Sequence, residues 1–284
     1  MAVLLDGKKI AAAIKEEIKE QVVRWRERGV QPSLVAVLAG DDPGAVVYAQ
    51  AKGRVCETLG IDYRVLQLAA GAGEGELLGA LSGLNEDPAV HGIVLELPLP
   101  AHIDKRKAME AVSPLKDVDG MHPLNRGYLM AGRRGFYPAT PQSCIEILLR
   151  SGIEIAGRHV VVIGRGETVG KPLIFMLLQN NATVTVCHTK TRDLARHALA
   201  ADIIIAAAGR ARLVTGSMIG EGAVVVDAGV NPCPGGICGD VAFDEVVPKA
   251  GAITPVPGGV GSLTTAILLR NLLQAVELQN GGLK

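Results

Sequence analysis

The sequence predicts an α/β protein of two domains, each built on a parallel sheet with helices on its faces. Three observations carry that expectation. The chain has 284 residues, about two domains at roughly 150 residues each. Hydrophobic residues make up 48% of it, enough to bury a sizeable core and to exclude wholesale disorder. Short apolar runs of strand length alternate with longer stretches at helical spacing, and βαβα order gives a parallel sheet.

The elements follow in order. Ile10, Ile14, Ile18, Val22 and Trp25 recur at helical spacing across residues 7–28, and Gly29 stops the run. Residues 34–39, Leu-Val-Ala-Val-Leu-Ala, read as a buried strand ended by Gly40. A helix at 44–59, a strand near 63–67, a helix at 75–85, a strand near 92–97 and a helix near 104–112 continue the alternation. Residues 113–140 carry Pro114, Gly120, Pro123, Gly127, Gly132, Gly135 and Pro138 with little periodicity, so a long loop region is expected there. The alternation restarts with a helix at 141–151. Strands follow at 159–163, 182–186, 202–206 and 223–227, with helices between the first three. A last helix, at 263–278, comes after the Gly/Pro-rich segment 254–261. The domain boundary is placed near 138–142.

Composition excludes several function classes. Lys+Arg and Asp+Glu are both 29, and a general polyanion binder needs a basic surplus. With Phe 3, Tyr 4 and Trp 1, base stacking on single-stranded nucleic acid is not supported. No apolar stretch approaches the ~18 residues that span a bilayer. The first charge comes too early for a secretory leader. Five Cys, most of them far apart, give neither a disulfide framework nor zinc spacing. A soluble, reduced, cytoplasmic protein with no metal, nucleic-acid or membrane partner is expected.

The second half carries a cofactor signature. The apolar strand Val160-Val-Val-Ile163 runs into Gly164-Arg-Gly-Glu-Thr-Val-Gly170 and then a helical stretch. Free N–H groups and the helix dipole at such a turn cradle an anion, and the glycines allow close approach of a pyrophosphate. This predicts a Rossmann-like dinucleotide-binding domain, with Gly164, Arg165, Gly166, Thr168 and Val169 at the phosphates. A phosphate-loop NTPase does not fit, because Pro172 follows Lys171 where Ser or Thr must bind magnesium. The next strand ends in Cys187-His-Thr-Lys-Thr191, with no carboxylate for a ribose 2′-hydroxyl. His188, Thr189 and Lys190 with Arg165 suit a 2′-phosphate, so NADP is expected over NAD. A solvated strand end would also account for His188 and Lys190. Val230 follows the strand at 223–227 and joins the expected cofactor set.

The first half carries the chemistry. Tyr48 and Lys52 share a helix face with Val55 and Leu59, so that face is expected to point at the core. A desolvated Lys becomes available as a general base; the commoner fate of a lone Lys is to snorkel from an apolar face. Glu96, at the end of a buried strand, and Asp119, in Lys116-Asp-Val-Asp-Gly120, fall at the carboxyl edge of the sheet, where open α/β folds bind ligands.

Tyr48-x-x-x-Lys52, Leu97-Pro-Leu-Pro100, Lys116-Asp-Val-Asp-Gly120, Gly164-Arg-x-x-x-Val-Gly-Lys-Pro172 and Thr254-Pro-Val-Pro-Gly-Gly-Val-Gly261 occur in this order. With them the chain resembles, over essentially its whole length, the bifunctional methylenetetrahydrofolate dehydrogenase/methenyltetrahydrofolate cyclohydrolase family. The resemblance implies an N-terminal three-layer βα catalytic domain (1–139) and the Rossmann-like domain (140–262), with helix 263–284 packing back on the first. It implies NADP-dependent oxidation of 5,10-methylenetetrahydrofolate and hydrolysis of the methenyl product. It makes Lys52 the acid/base of the hydrolytic step, with Tyr48 packing on the folate and positioning Lys52. Asp119 would hydrogen-bond the pterin. Leu97, Pro98, Pro257, Gly258 and Gly259 would line the folate and nicotinamide region. The family is typically dimeric, so a homodimer is implied.

The family usually has Gln where this chain has Glu96. An ionised carboxylate there would hold the Lys52 ammonium charged and weaken it as a base. Either a protonated Glu96 mimics the amide, or Glu96 and Lys52 share a proton. Ala45, Gly166 and Ser262 are smaller departures, where the family has Ser, Ser and Pro. Two other readings compete: an NAD(P) oxidoreductase acting on a small keto or amino acid, and a non-catalytic dinucleotide-sensing module.

Overall fold

A computed structural model describes residues 2–281. Residues 282–284, which the sequence reading gave to the last helix, lie outside the described residues. The chain runs through β1 (Val3–Leu4), α1 (Gly7–Glu27), β2 (Ser33–Ala39), α2 (Pro43–Leu59), β3 (Asp62–Leu68), α3 (Glu74–Glu86), β4 (Gly92–Leu95) and α4 (Lys105–Ala111). It continues with α5 (Pro123–Met130), α6 (Ala139–Arg150), β5 (His159–Ile163), α7 (Gly170–Gln179), β6 (Thr183–Cys187), α8 (Leu194–Leu199), β7 (Ile203–Ala206) and β8 (Val224–Asp227). The remainder is β9 (Asn231–Cys233), β10 (Gly236–Cys238), α9 (Phe243–Val246), β11 (Ala252–Ile253) and α10 (Val260–Asn280). Two compact units result. One joins Ile14–Tyr137 to the chain from Leu268 on; the other joins the chain up to Ala13 to Pro138–Ile267.

The first unit is a three-stranded parallel sheet in the order β3-β2-β4. Its central strand β2 is buried on both faces, which is why Leu34–Ala39 reads as a continuous apolar run. Val35 and Val37 pack with Leu77, Leu81 and Ile93 on one face, while Ala36 and Leu38 meet Ala45 and Ala49 of α2 on the other. The second half of α10 is knitted into this unit by polar contacts. Asn271 Nδ2 donates to the Val118 and Tyr137 carbonyls at 2.8 and 3.0 Å. Gln279 Nε2 donates to the His91 carbonyl at 2.9 Å.

The second unit is a six-stranded parallel sheet in the order β1-β11-β8-β7-β5-β6. The chain leaves β5 for β6 on one side and reaches β7 on the other, so the strand order reverses at the carboxyl end of β5. That is where an open α/β sheet leaves a ligand crevice.

The structure departs from the sequence expectations in identifiable places. The loop expected at 113–140 contains α5. Pro123 starts that helix rather than breaking it, because a proline at the first helical position lacks only an N–H that has no partner there. His122 Nδ1 caps the helix by accepting from the Leu124 N–H at 3.0 Å. The expected boundaries gave residues 1–13 to the first domain. In the structure Val3 and Leu4 pair with Ala252 and Ile253, which puts the start of the chain in the second unit. The antiparallel β9–β10 hairpin, β1, β11 and α9 were not anticipated.

Candidate active site

Helix α2 presents the first functional side chains. It is capped by Asp42, which accepts from the Ala45 N–H at 2.8 Å, has Pro43 in its first turn, and ends at Gly60 in the left-handed region. Its buried stripe is Ala45, Ala49, Cys56 and Leu59. Tyr48 lies off that stripe and is 60% exposed, so the expectation of a core-directed Tyr48 is corrected. The small residues Ala45 and Ala49 set the phase, because they let the helix approach β2 closely.

Lys52 sits at the margin of the stripe and reaches Glu96, which follows β4. Its Nζ donates to Oε1 at 2.7 Å and to Oε2 at 2.9 Å. The side chains are 16% and 8% exposed, so this pair is largely desolvated. The Glu96 N–H donates to the Val37 carbonyl at 2.9 Å, which fixes the backbone beneath the carboxylate. Leu97 is half-buried and Pro98 exposed, next along the turn.

Tyr63 of β3, which sequence reasoning missed, supports the same helix. Its hydroxyl donates to the Ala49 carbonyl at 2.7 Å, and Gly53 leaves room for its ring. Burial, and after it the Glu96 charge, push the Tyr63 phenol above its usual range. Burial pushes the Cys56 thiol up to about 12, against the pull of Lys52. Both groups are therefore neutral near pH 7.

The two carboxylates of Lys116-Asp-Val-Asp-Gly120 separate in role. Asp117 is buried and accepts from the Met121 and His122 N–H groups and from Asn125 Nδ2, at 3.0, 2.8 and 2.8 Å. It organises the turn into α5. Asp119 is half-buried and lines a small recess with Ile93, Leu95, Met109 and Met121. Lys116 is also structural: its Nζ donates to the Leu84 and Asp87 carbonyls at 3.0 and 2.7 Å, at the end of α3.

The second unit holds a cavity of about 360 Å³ at the carboxyl ends of β5, β6 and β7. Gly164, Arg165, Gly166, His188 and Thr189, all expected in the cofactor set, are among the residues that line it. Gly164 has φ +123°, and a Cβ there would collide with the Ala207 carbonyl. A Cβ on Gly170 would collide with the Gly164 carbonyl, whereas Gly166 faces open space. The loop is thus folded on its own backbone and open on its outer side, a cradle that fits a dinucleotide phosphate. His188 Nδ1 accepts from the Lys190 N–H at 3.1 Å, which leaves Nε2 as the donor. Thr168, Val169, Lys190 and Val230 are not among the lining residues. Thr191, Ala208, Arg210 and Leu213 are; Arg210, an exposed arginine just past a glycine, gave no signal in the sequence.

In the same unit, Gly258 and Gly259 close a turn after Thr254. The Gly7 N–H donates to the Gly258 carbonyl at 2.9 Å, and a Cβ on Gly259 would meet Pro255 and Thr254. These two glycines are accounted for by chain-on-chain packing; Pro257 is exposed beside them. Among the described residues, no cluster of three or more His, Cys, Asp or Glu side chains could hold a metal.

Two family models match the chain. Residues 5–119 match the tetrahydrofolate dehydrogenase/cyclohydrolase catalytic domain, and residues 138–280 match its NAD(P)-binding domain. The chain is 59% identical over 279 residues to bifunctional protein FolD 2 of Desulfitobacterium hafniense, covering 98% of each. Among solved structures, it is similar to the bifunctional FolD dehydrogenase/cyclohydrolase of Campylobacter jejuni. That match has a TM-score of 0.96 and 44% identity, over 98% of this chain and 99% of the other. It is also similar to the Trypanosoma brucei dehydrogenase-cyclohydrolase complexed with NADP cofactor and an inhibitor. Here the TM-score is 0.92 and the identity 38%, over 96% and 97% of the two chains.

Proposed function

The chain belongs to the tetrahydrofolate dehydrogenase/cyclohydrolase family, and from that premise we propose how its own residues divide the work. The protein is a bifunctional enzyme. It oxidises 5,10-methylenetetrahydrofolate to the 5,10-methenyl form with NADP and hydrolyses that product to 10-formyltetrahydrofolate. NADP, when bound, supplies the hydride acceptor.

The Lys52–Glu96 pair carries the hydrolytic assignment. In this reading Glu96 takes a proton from the Lys52 ammonium, leaving an amine beside a carboxylic acid. The amine removes a proton from water as its oxygen bonds to the methenyl carbon. The regenerated ammonium then protonates the ring nitrogen as the carbon–nitrogen bond breaks. The Lys52 amine takes the O–H proton from the same carbon, which becomes the formyl carbonyl, and Glu96 releases its proton to solvent. The cationic methenyl group favours this internal transfer, because a second positive charge beside it is unfavourable. Asp119 receives the amidine-like N–H edge of the pterin. Tyr48, exposed on the turn before Lys52, packs on the folate's aromatic portion. Hydride transfer itself asks the protein for positioning rather than proton transfer.

The loop at Gly164, Arg165 and Gly166 holds the pyrophosphate in this reading, and Arg165, His188 and Thr189 surround the 2′-phosphate. Thr168, Val169 and Lys190 complete the set on their places in the glycine loop and the strand end, and Val230 on its place after β8. A homodimer is further proposed, supported by the unpaired outer edge of β3. Sedimentation of the purified enzyme at about twice 29.6 kDa would bear it out, and a monomer mass would not. The same reading puts the enzyme in the cytoplasm, supplying formyl groups for purine biosynthesis. A spectrophotometric assay with methylenetetrahydrofolate and NADP or NAD in parallel tests the substrate and the cofactor together. Turnover with NADP and little with NAD is expected, and turnover of a keto acid without folate turnover would overturn it.

A further inference from the structure

We propose that Arg210 is a specificity-determining residue for the dinucleotide, its guanidinium meeting the 2′-phosphate and its place set through the backbone by the buried carboxylate of Asp240. The proposal rests on the NADP reading of the cavity beside β5, β6 and β7. Arg210 lines that cavity together with Arg165, His188 and Thr189, and no Asp or Glu is among the lining residues. Two guanidinium groups and an imidazole around one recess make a site for a dianion. They offer no carboxylate to accept the 2′-hydroxyl of an unphosphorylated ribose.

A surface arginine alone would be a weak candidate, because its long side chain has many other rotamers. What distinguishes Arg210 is how its backbone is held. Asp240 is fully buried. Its Oδ2 accepts from the Ala208 and Gly209 N–H groups at 2.6 and 2.9 Å, and its Oδ1 accepts from the Arg210 N–H at 2.9 Å. Asn231 Nδ2 donates to the same Oδ1 at 2.9 Å. Three successive N–H groups therefore close on one internal carboxylate. Beneath it, Asp227 accepts from the Gly229, Asp240 and Val241 N–H groups at 2.9, 3.0 and 2.9 Å. A Cβ on Gly229 would collide with Asp240, and one on Gly239 with Asp227, so both glycines are required by the two carboxylates. The carboxylate of Asp240 is saturated by these donors and does not compete with phosphate for the guanidinium. The Arg210 side chain thus leaves a fixed point at the cavity wall, which lowers the ordering cost of engaging a phosphate.

The test is calorimetric titration of the full-length enzyme with adenosine 2′,5′-bisphosphate and with 5′-AMP, which differ by the 2′-phosphate. Wild type, Arg210→Ala and Arg210→Lys are compared, with circular dichroism to check folding. The wild type is expected to prefer the bisphosphate. Arg210→Ala should lose about tenfold in affinity for it, the worth of one charge-assisted contact, with 5′-AMP changed less than twofold. Arg210→Lys should recover part of the loss, because it restores the charge without the fork. If the wild type prefers the bisphosphate but Arg210→Ala weakens neither ligand, or weakens both alike, the proposal is wrong while the NADP reading stands. If the wild type binds both equally, the NADP reading of this cavity fails first.

Discussion

Lys52 and Glu96 form an ion pair with both carboxylate oxygens within 2.9 Å of one ammonium. A Gln in place of Glu96 would accept one of those hydrogen bonds and carry no charge. The Glu96→Gln enzyme should keep its cyclohydrolase activity, and the acid limb of its pH–rate profile should lie at lower pH than in the wild type. Losing the carboxylate removes what favours the charged ammonium. Superimposable profiles would refute the coupling. At this scale the sequence was informative about identity and silent about direction. Spacing paired Tyr48 with Lys52, but the phase of α2 depends on Ala45 and Ala49 packing on β2, and it leaves Tyr48 exposed. The two carboxylates of the Asp117–Asp119 loop look alike in sequence. Their burial separates them: Asp117 is buried under three converging donors, whereas Asp119 is half-buried.

Whole elements depend on single buried polar groups. Lys116 stands at the end of α3, where it donates to the Leu84 carbonyl in the last turn and to the carbonyl of the capping Asp87. Lys116→Met should lower stability by about 1–3 kcal/mol, the cost of leaving the buried Leu84 carbonyl without this donor, while the Asp87 carbonyl keeps the Val90 N–H at 3.1 Å. Denaturant unfolding measures it, and an unchanged midpoint would contradict the role. In the other unit, burial raises the Asp227 carboxyl from 3.8 to about 6, against the opposing pull of its backbone donors. The native state keeps this proton to higher pH than the unfolded chain, so the Asp227 contribution to stability is fully present below about 4 and declines as pH rises to about 6. Carbon NMR of the labelled carboxyl should show its titration midpoint near 6; a midpoint near 4 would show that the donors outweigh burial. β2, β5, β7 and β8 could be read because burial on both faces makes them continuous apolar runs. β1 and β11, two residues each, carry no periodicity to read, and the proline that opens α5 looks in sequence like a breaker.

Across the whole molecule, the Lys52–Glu96 ion pair belongs to one unit and the cavity beside β5, β6 and β7 to the other. The two-domain plan was legible from the restart of alternation after residue 138. That the chain up to Ala13 joins the second unit was not, because only the pairing of Val3 and Leu4 with Ala252 and Ile253 reveals it. Separate locations for the proton-transfer pair and the cofactor cavity imply separable activities. The most direct test is Lys52→Gln, assayed for both reactions on one preparation. Gln keeps a donor for the buried Glu96 carboxylate and removes the titratable amine, so folding is disturbed less than by an apolar substitution. Cyclohydrolase activity should fall by about 100-fold or more, the usual worth of a positioned acid/base, while the NADP-dependent dehydrogenase stays within about tenfold of the wild type. Cyclohydrolase activity at wild-type level, or equal loss of both activities in a folded protein, would contradict the assignment of Lys52.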